Sequence, residues 1–197
     1  LTPTPPATKA SAASISRKAI AALALVALAV FVADQFAKML VVQNLPVGET
    51  IPLIGELLQL RFVKNSGAAF SIGNGSTWIF SIIATAVAVF IVVFAPRIRS
   101  LSWAILFGML LGGNLGNLAD RLFREPSFGQ GHVIDFLVLY AFPAIFNIAD
   151  IAIVSSMGLF VILTIRGTRL DGRSRAEADA LVEPDEGDGR SPAVDGD

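Results

Sequence analysis

Apolar residues run almost unbroken through four stretches of the chain, roughly residues 19–42, 77–95, 101–121 and 143–165. Each is long enough to cross a hydrocarbon core of about 30 Å, which takes about 20 residues of helix. The pattern therefore predicts four membrane crossings. Between the first two lies a stretch of mixed polarity, where LLQLRFV (residues 57–63) alternates in part and suits a short strand. Pro46, Gly48, Pro52, Gly55, Gly67, Gly73 and Gly75 punctuate its surroundings as turns. A small β-sheet resting on the outer membrane surface, over about residues 44–76, is the expected product.

Composition agrees with that pattern. With 54% hydrophobic and 16% charged residues, the chain is too apolar for an ordinary soluble globule and reads as an α-helical integral membrane protein. The absence of Cys rules out a disulfide framework, a thiol nucleophile and a thiolate metal site. No nucleic-acid partner is expected, and membrane lipids are the surroundings the composition calls for. The net charge of −1 conceals an uneven distribution, since nine of the sixteen acids lie at or after Asp171 in a Gly, Pro, Asp and Glu-rich stretch. Such a stretch lacks the apolar surface to fold alone. Residues 1–16 are expected to be a flexible cytoplasmic leader, residues 17–167 the four-span unit, and residues 168–197 a disordered acidic cytoplasmic tail.

Charge sets the expected orientation. Lys9, Arg17 and Lys18 precede the first span, Arg97 and Arg99 join the second to the third, and Arg166, Arg169, Arg173 and Arg175 follow the fourth. Short basic loops stay in the cytoplasm, so both termini are expected inside. Arg17 and Lys18 followed by AIAALALVALAVFVA resemble the start of a secretory signal peptide. The run continues through Asp34 to Val42 at full spanning length, however, and its removal would leave three spans that contradict the Arg bias.

The polar groups within the apolar runs then stand out. Asp34 and Lys38 lie in span one, Asn117, Asp120 and Arg121 near the outer end of span three, and Asp135 in the short connection leading to span four. Asn147 and Asp150 fall inside span four, with Asp150 about seven residues below its outer end. A carboxylate in hydrocarbon costs about 2.5–3.5 kcal/mol on insertion scales and marks a functional site by default. All these acids lie in the outer half of the membrane, which one shared outward-facing site explains better than scattered pairs. Ordinary structural roles account for several neighbours. Gly108, Gly112 and Gly116 recur every four residues as a helix-packing ridge, with Gly113, Asn117 and Arg121 on the adjacent face. Asp34 and Lys38 at i, i+4 suit a local ion pair, Asp120 suits a helix-end cap or a pair with a neighbour, and His132 suits an interfacial position. Asp135 and Asp150 have apolar flanks and no sequence-local cation.

Two carboxylates brought together cannot both ionise readily, so the pair shares a proton and supplies a base and an acid at once. That suffices to activate water against an amide carbonyl, with no metal or other cofactor. A zinc protease would show HExxH, which one His and no Cys cannot supply. A Ser/Lys peptidase built from Ser66 or Ser71 with Lys38 or Lys64 is not demanded by any spacing. A proton-coupled transporter would place its acids near the midplane. A membrane assembly protein would use the glycine ridge and leave Asp135 and Asp150 unexplained.

At this point the residues resemble the bacterial lipoprotein signal peptidases, also called signal peptidase II. The likeness runs over about 120 residues, from ADQFAK at Ala33 through FVKNSGAAFSIG and GGNLGNLADR to HVIDF and FNIADIAI. The resemblance implies an intramembrane aspartic endopeptidase of the bacterial cytoplasmic membrane, with four spans and an extracytoplasmic sheet that cradles substrate. It implies cleavage of prolipoprotein signal peptides just before a diacylglyceryl-modified cysteine, at a site facing the outer side. By position it makes Asp135 and Asp150 the catalytic pair, and Asp34, Asn65, Gly113, Asn117, Asp120, Arg121, Asn147 and Ala149 supporting residues. Asn65 and Arg121 are expected to hold the substrate backbone or shape the site, and Asn117 and Asn147 to orient the dyad. Two departures accompany the likeness. The segment FREPSFGQGHVI is several residues longer than the usual spacing, and Ile151 stands where a small or polar residue often follows the aspartate.

Overall fold

The computed structural model describes residues 16–67 and 77–171. The leader before Ser16, the turn glycines Gly73 and Gly75, Ser71, and the tail beyond Asp171 lie outside the described residues.

Four helices long and apolar enough to cross a membrane form the body: α1 (Arg17–Asn44), α2 (Thr77–Phe94, continued by a 3-10 turn at Ala95–Arg97), α3 (Leu101–Phe123) and α4 (Ile148–Ile165). Ser16 starts α1 by accepting from the amide of Ala19 at 3.3 Å. Large side chains such as Leu25, Leu28, Val89, Val93, Val154 and Val161 point outward, where lipid rather than water is their solvent. Without a hydrophobic drive between helices in lipid, association depends on close packing. The glycines of α3 provide it. A Cβ on Gly112 would lie 2.5 Å from the carbonyl oxygen of Ala27 on α1, and one on Gly113 would lie 2.5 Å from that of Ala149 on α4. The central helix thus presents one glycine face to α1, through Gly108, Gly112 and Gly116, and another to α4.

The interfacial sheet is larger than the pattern predicts. Strands β1 (Thr50–Ile54) and β2 (Leu58–Asn65) come from the expected segment, but β3 (Val133–Leu139) and β4 (Ile145–Phe146) come from the connection between α3 and α4. All four pair antiparallel in the order β1-β2-β3-β4. The plain connection expected around Asp135 is therefore a strand. The helix expected from residue 143 starts at Ile148, which moves Asp150 from mid-helix depth to the first turn. Both differences have one cause. VIDFLVL is buried on both faces over its first four residues, so it lacks alternation, and its apolar run merges with that of span four.

The long segment after Arg121 folds back on the end of α3. The amide of Gly131 donates to the carbonyl of Arg121 and that of His132 to the carbonyl of Glu125, each at 2.9 Å. Ser81 Oγ on α2 donates to the carbonyl of Gly129 at 2.6 Å. The extra length is thereby taken up before β3 begins.

Candidate active site

Asp135 and Asp150 reach the same place from different elements. Asp135 stands on β3, opposite Val63 of β2, and is 4% exposed. Asp150 is the third residue of α4 and forms a reciprocal capping box with Asn147: the Asp150 amide donates to Asn147 Oδ1 at 3.0 Å, and the Asn147 amide donates to Asp150 Oδ2 at 3.1 Å. The local Asn-x-x-Asp spacing thus starts the helix and aims the carboxylate in one step. Helix N-termini also favour negative charge.

Asparagine amides frame the two groups. Asn65 Nδ2 donates to Asp135 Oδ2 at 2.8 Å and Asn147 Nδ2 to Asp135 Oδ1 at 2.7 Å. Asn117 Nδ2 donates to Asp150 Oδ1 at 2.9 Å. Each carboxylate oxygen therefore accepts from one N–H. The orientation of Asn117 is forced, because its Oδ1 accepts from Lys38 Nζ at 3.0 Å and from Asn147 Nδ2 at 3.1 Å, leaving only the amide nitrogen for Asp150.

Behind this frame sits a fully buried ion cluster. Lys38 Nζ lies 2.8 Å from Asp34 Oδ2 and 2.8 Å from Asp120 Oδ2, with all three side chains shielded from solvent. The local pair expected between Asp34 and Lys38 is present and is only part of the cluster. The two carboxylates also hold partners outside the cluster, Asp34 through its free Oδ1 and Asp120 through both oxygens, Oδ2 taking the Ile134 amide beside Lys38 and Oδ1 facing Arg124. Asp34 Oδ1 accepts from the Ala149 amide at 2.9 Å, while Asp120 accepts from the Ile134 amide at 3.1 Å and pairs with Arg124 at 2.5 Å. Ala149 and Ile134 each immediately precede one of the two aspartates. One lysine therefore ties together the clamps on both. Sequence reasoning left Lys38 out of the site. Its one local signal, the spacing from Asp34, also fits an isolated helical pair, and Asp120 is remote in sequence. The same cluster occupies Lys38 and removes it as a base for Ser66.

Arg121 is half in this frame and half in the cavity. Its Nη2 donates to the carbonyl of Gly67 at 2.9 Å, its guanidinium lies 5.6 Å from the Phe80 ring centre, and its buried Nε has no hydrogen-bond partner among the described residues. Gly113 contributes by absence of a side chain and Ala149 by its backbone N–H. His132 is half-buried, and among the described residues its amide bonds to the carbonyl of Glu125 rather than to either aspartate.

In front of the two carboxylates opens a cavity of about 540 Å³. Asn65, Asn117, Arg121, Asp135 and Asp150 form its polar head, and Leu139, Phe142, Phe146, Ile151, Ile153 and Val154 its apolar walls. Ile151, the departure noted beside Asp150, faces this mouth and is 46% exposed. Burial pushes the Asp135 carboxyl up from 3.8 to about 6, and the charge of Asp150 adds to the rise against the hydrogen bonds from Asn65 and Asn147. Among the described residues no group of three or more His, Cys, Asp or Glu is placed to hold a metal ion.

A polytopic membrane protein with two carboxylates at the head of one apolar cavity belongs to the class of membrane-embedded enzymes, and comparison with known proteins narrows that class. The family described as signal peptidase (SPase) II matches residues 26–166. The lipoprotein signal peptidase of Leifsonia xyli subsp. xyli is 59% identical over 90% of this chain and 82% of its own length. Those of Streptomyces coelicolor and Mycobacterium tuberculosis are 47% and 44% identical, over 79% and 78% of this chain and 76% of each relative. Two structures of bacterial membrane enzymes superpose with TM-scores of 0.69 and 0.67, each 28% identical over 79% of this chain and covering 93% and 98% of theirs. The chain belongs to the signal peptidase II family, a family of aspartic-type membrane peptidases.

Proposed function

We propose that this chain removes the signal peptide from diacylglyceryl-modified prolipoproteins, cutting before the lipidated cysteine with water activated between Asp135 and Asp150. The observation that carries this reading is the joining of two amide-framed carboxylates to a largely apolar cavity of about 540 Å³. A substrate can keep its acyl chains in the bilayer while its scissile amide meets the carboxylates at the interface.

Asp135, with its pKa near 6, holds the shared proton, and Asp150 at the helix N-terminus acts as the base. Asp150 takes a proton from water as the water oxygen bonds to the carbonyl carbon, and Asp135 gives its proton to the carbonyl oxygen. In the collapse, Asp150 passes its proton to the departing amide nitrogen. Asp135 takes one from the gem-diol as the C–N bond breaks, which restores both groups. Asn117 and Asn147 orient the pair, Asn65 steadies Asp135, and the free Nε–H of Arg121 is available to a substrate carbonyl. Acids that stand at helix ends and on a strand, away from the midplane, suit hydrolysis better than proton-coupled transport.

We place the site on the extracytoplasmic side and the ends of the described chain in the cytoplasm, because Arg17, Lys18, Arg97, Arg99, Arg166 and Arg169 gather at the opposite end of the helices. Comparison of a diacylglyceryl-modified prolipoprotein peptide with its unmodified twin tests the substrate class. The modified peptide is expected to be cut at least about tenfold faster in kcat/KM, since burying even a few acyl CH2 groups contributes about 0.8 kcal/mol each. Equal rates for the two would contradict the lipid-dependent reading.

A further inference from the structure

At the end of the molecule remote from the two aspartates, α2, α3 and α4 leave a second concavity of about 860 Å³. Its walls are aromatic. Phe90 stacks on Phe94 at 5.6 Å, Phe94 tilts against Phe107 at 5.9 Å, and Trp103 joins Phe107 at 6.1 Å to Phe160 at 5.8 Å. Arg97, Arg99 and Arg169 stand on its rim, together with one carboxylate, Asp171.

Arginines at this end of a membrane protein are ordinary topology signals and need no ligand. These three are organised further. They come from two distant parts of the chain, and a strap after α4 fixes them over one opening. The amides of Arg99 and Ser100 donate to the carbonyl of Leu170 at 2.9 and 3.0 Å, and Trp103 Nε1 donates to the carbonyl of Thr168 at 3.0 Å. A topology signal requires charge on one side and no fixed strap.

Among the described residues the positive charge of the rim is in excess. Arg97 and Arg99 have no carboxylate partner among the described residues, and Arg169 reaches Asp171 only at 3.9 Å in a largely exposed pair. The rim is net positive. From Phe90 to Arg97 the chain rises about 10 Å, so the aromatic floor lies at acyl-chain depth and the arginines at headgroup level.

We propose that this concavity binds an anionic phospholipid of the leaflet opposite the active site, with acyl chain against the rings and phosphate among Arg97, Arg99 and Arg169. A phospholipid alone matches both halves: phosphate suits the arginine forks, and a flexible chain fills the aromatic slot. Residues 172–197 supply carboxylates but only Leu181, Val182 and Val194 as large apolar side chains, too few to fill the slot.

Native mass spectrometry of the full chain, equilibrated with phosphatidylglycerol or phosphatidylcholine, tests this. The anionic lipid is expected to be retained about tenfold or more over the zwitterionic one, and the combined variant Arg97→Gln, Arg99→Gln, Arg169→Gln to lose that preference. Arg166→Gln, a charge at the same end outside the concavity, is expected to keep it. Retained preference in the combined variant, or equal loss in Arg166→Gln, would overturn the site. Peptidase turnover in detergent confirms that the combined variant is folded. A photoreactive side chain at Phe90 in native membranes is expected to capture a phospholipid. Its cross-linking to residues 172–197 or to a second copy would assign the concavity to another occupant and overturn the proposal.

Discussion

Asp135 and Asp150 are the same amino acid in two different surroundings. The first is walled in by a sheet, and burial raises its pKa to about 6; the second stands at the head of a helix whose open N–H groups favour an anion. A carboxyl with a raised folded pKa contributes stability that is present below its unfolded value and lost as pH rises through the folded one. Thermal melts of the wild type are thus expected to fall between pH 3.8 and about 6 through this group. Asp135→Asn, with no charge to bury, is expected to flatten that part of the curve. An unchanged slope in the variant would show that Asp135 does not carry the proton assigned to it. Both aspartates were visible in the sequence because an acid with apolar flanks is costly. Lys38 was not, because its second carboxylate partner, Asp120, lies on another helix, and no local spacing reports a contact that only packing creates.

At the level of elements, α3 is the part on which the others are assembled. Its glycine spacing was legible as a packing ridge, since a small residue every four places lines one helical face. Its two faces make a direct test. Gly112→Ala puts a Cβ 2.5 Å from a backbone oxygen and 2.8 Å from Val30 Cβ, so helices must separate, and a lower melting temperature is expected. Gly158 in α4 has nothing within 4 Å of its added Cβ. Gly158→Ala is therefore expected to hold or raise stability by up to about 1 kcal/mol through helix propensity alone. A melting temperature for Gly112→Ala equal to that of Gly158→Ala would sink the close-packing account. The spans were readable to within a few residues at most ends because hydrocarbon demands long apolar runs. Strands β3 and β4 were hidden for the same reason: VIDFLVL and the start of span four are equally apolar, and hydropathy alone cannot separate a strand buried on both faces from a helix.

Across the whole molecule, the helices carry a cavity headed by the two aspartates at one end and a belt of arginines at the other. Cysteines introduced singly at Glu56, in the turn between β1 and β2, and at Pro96, after α2, report the orientation in intact cells. An impermeant thiol reagent is expected to label Glu56→Cys and spare Pro96→Cys, and the reverse pattern would invert the proposed topology. The central claim is that a strand from one side of the cavity and a helix from the other form one catalytic unit. Rates of cleavage of a lipidated prolipoprotein peptide by Asp135→Asn, Asp150→Asn and the double variant test it most directly. Each single variant is expected to lose roughly 10²–10⁴-fold or more in kcat, and the double variant to be hardly worse than either, because the two act together. Near-normal turnover in either single variant, or losses that multiply in the double, would contradict the dyad.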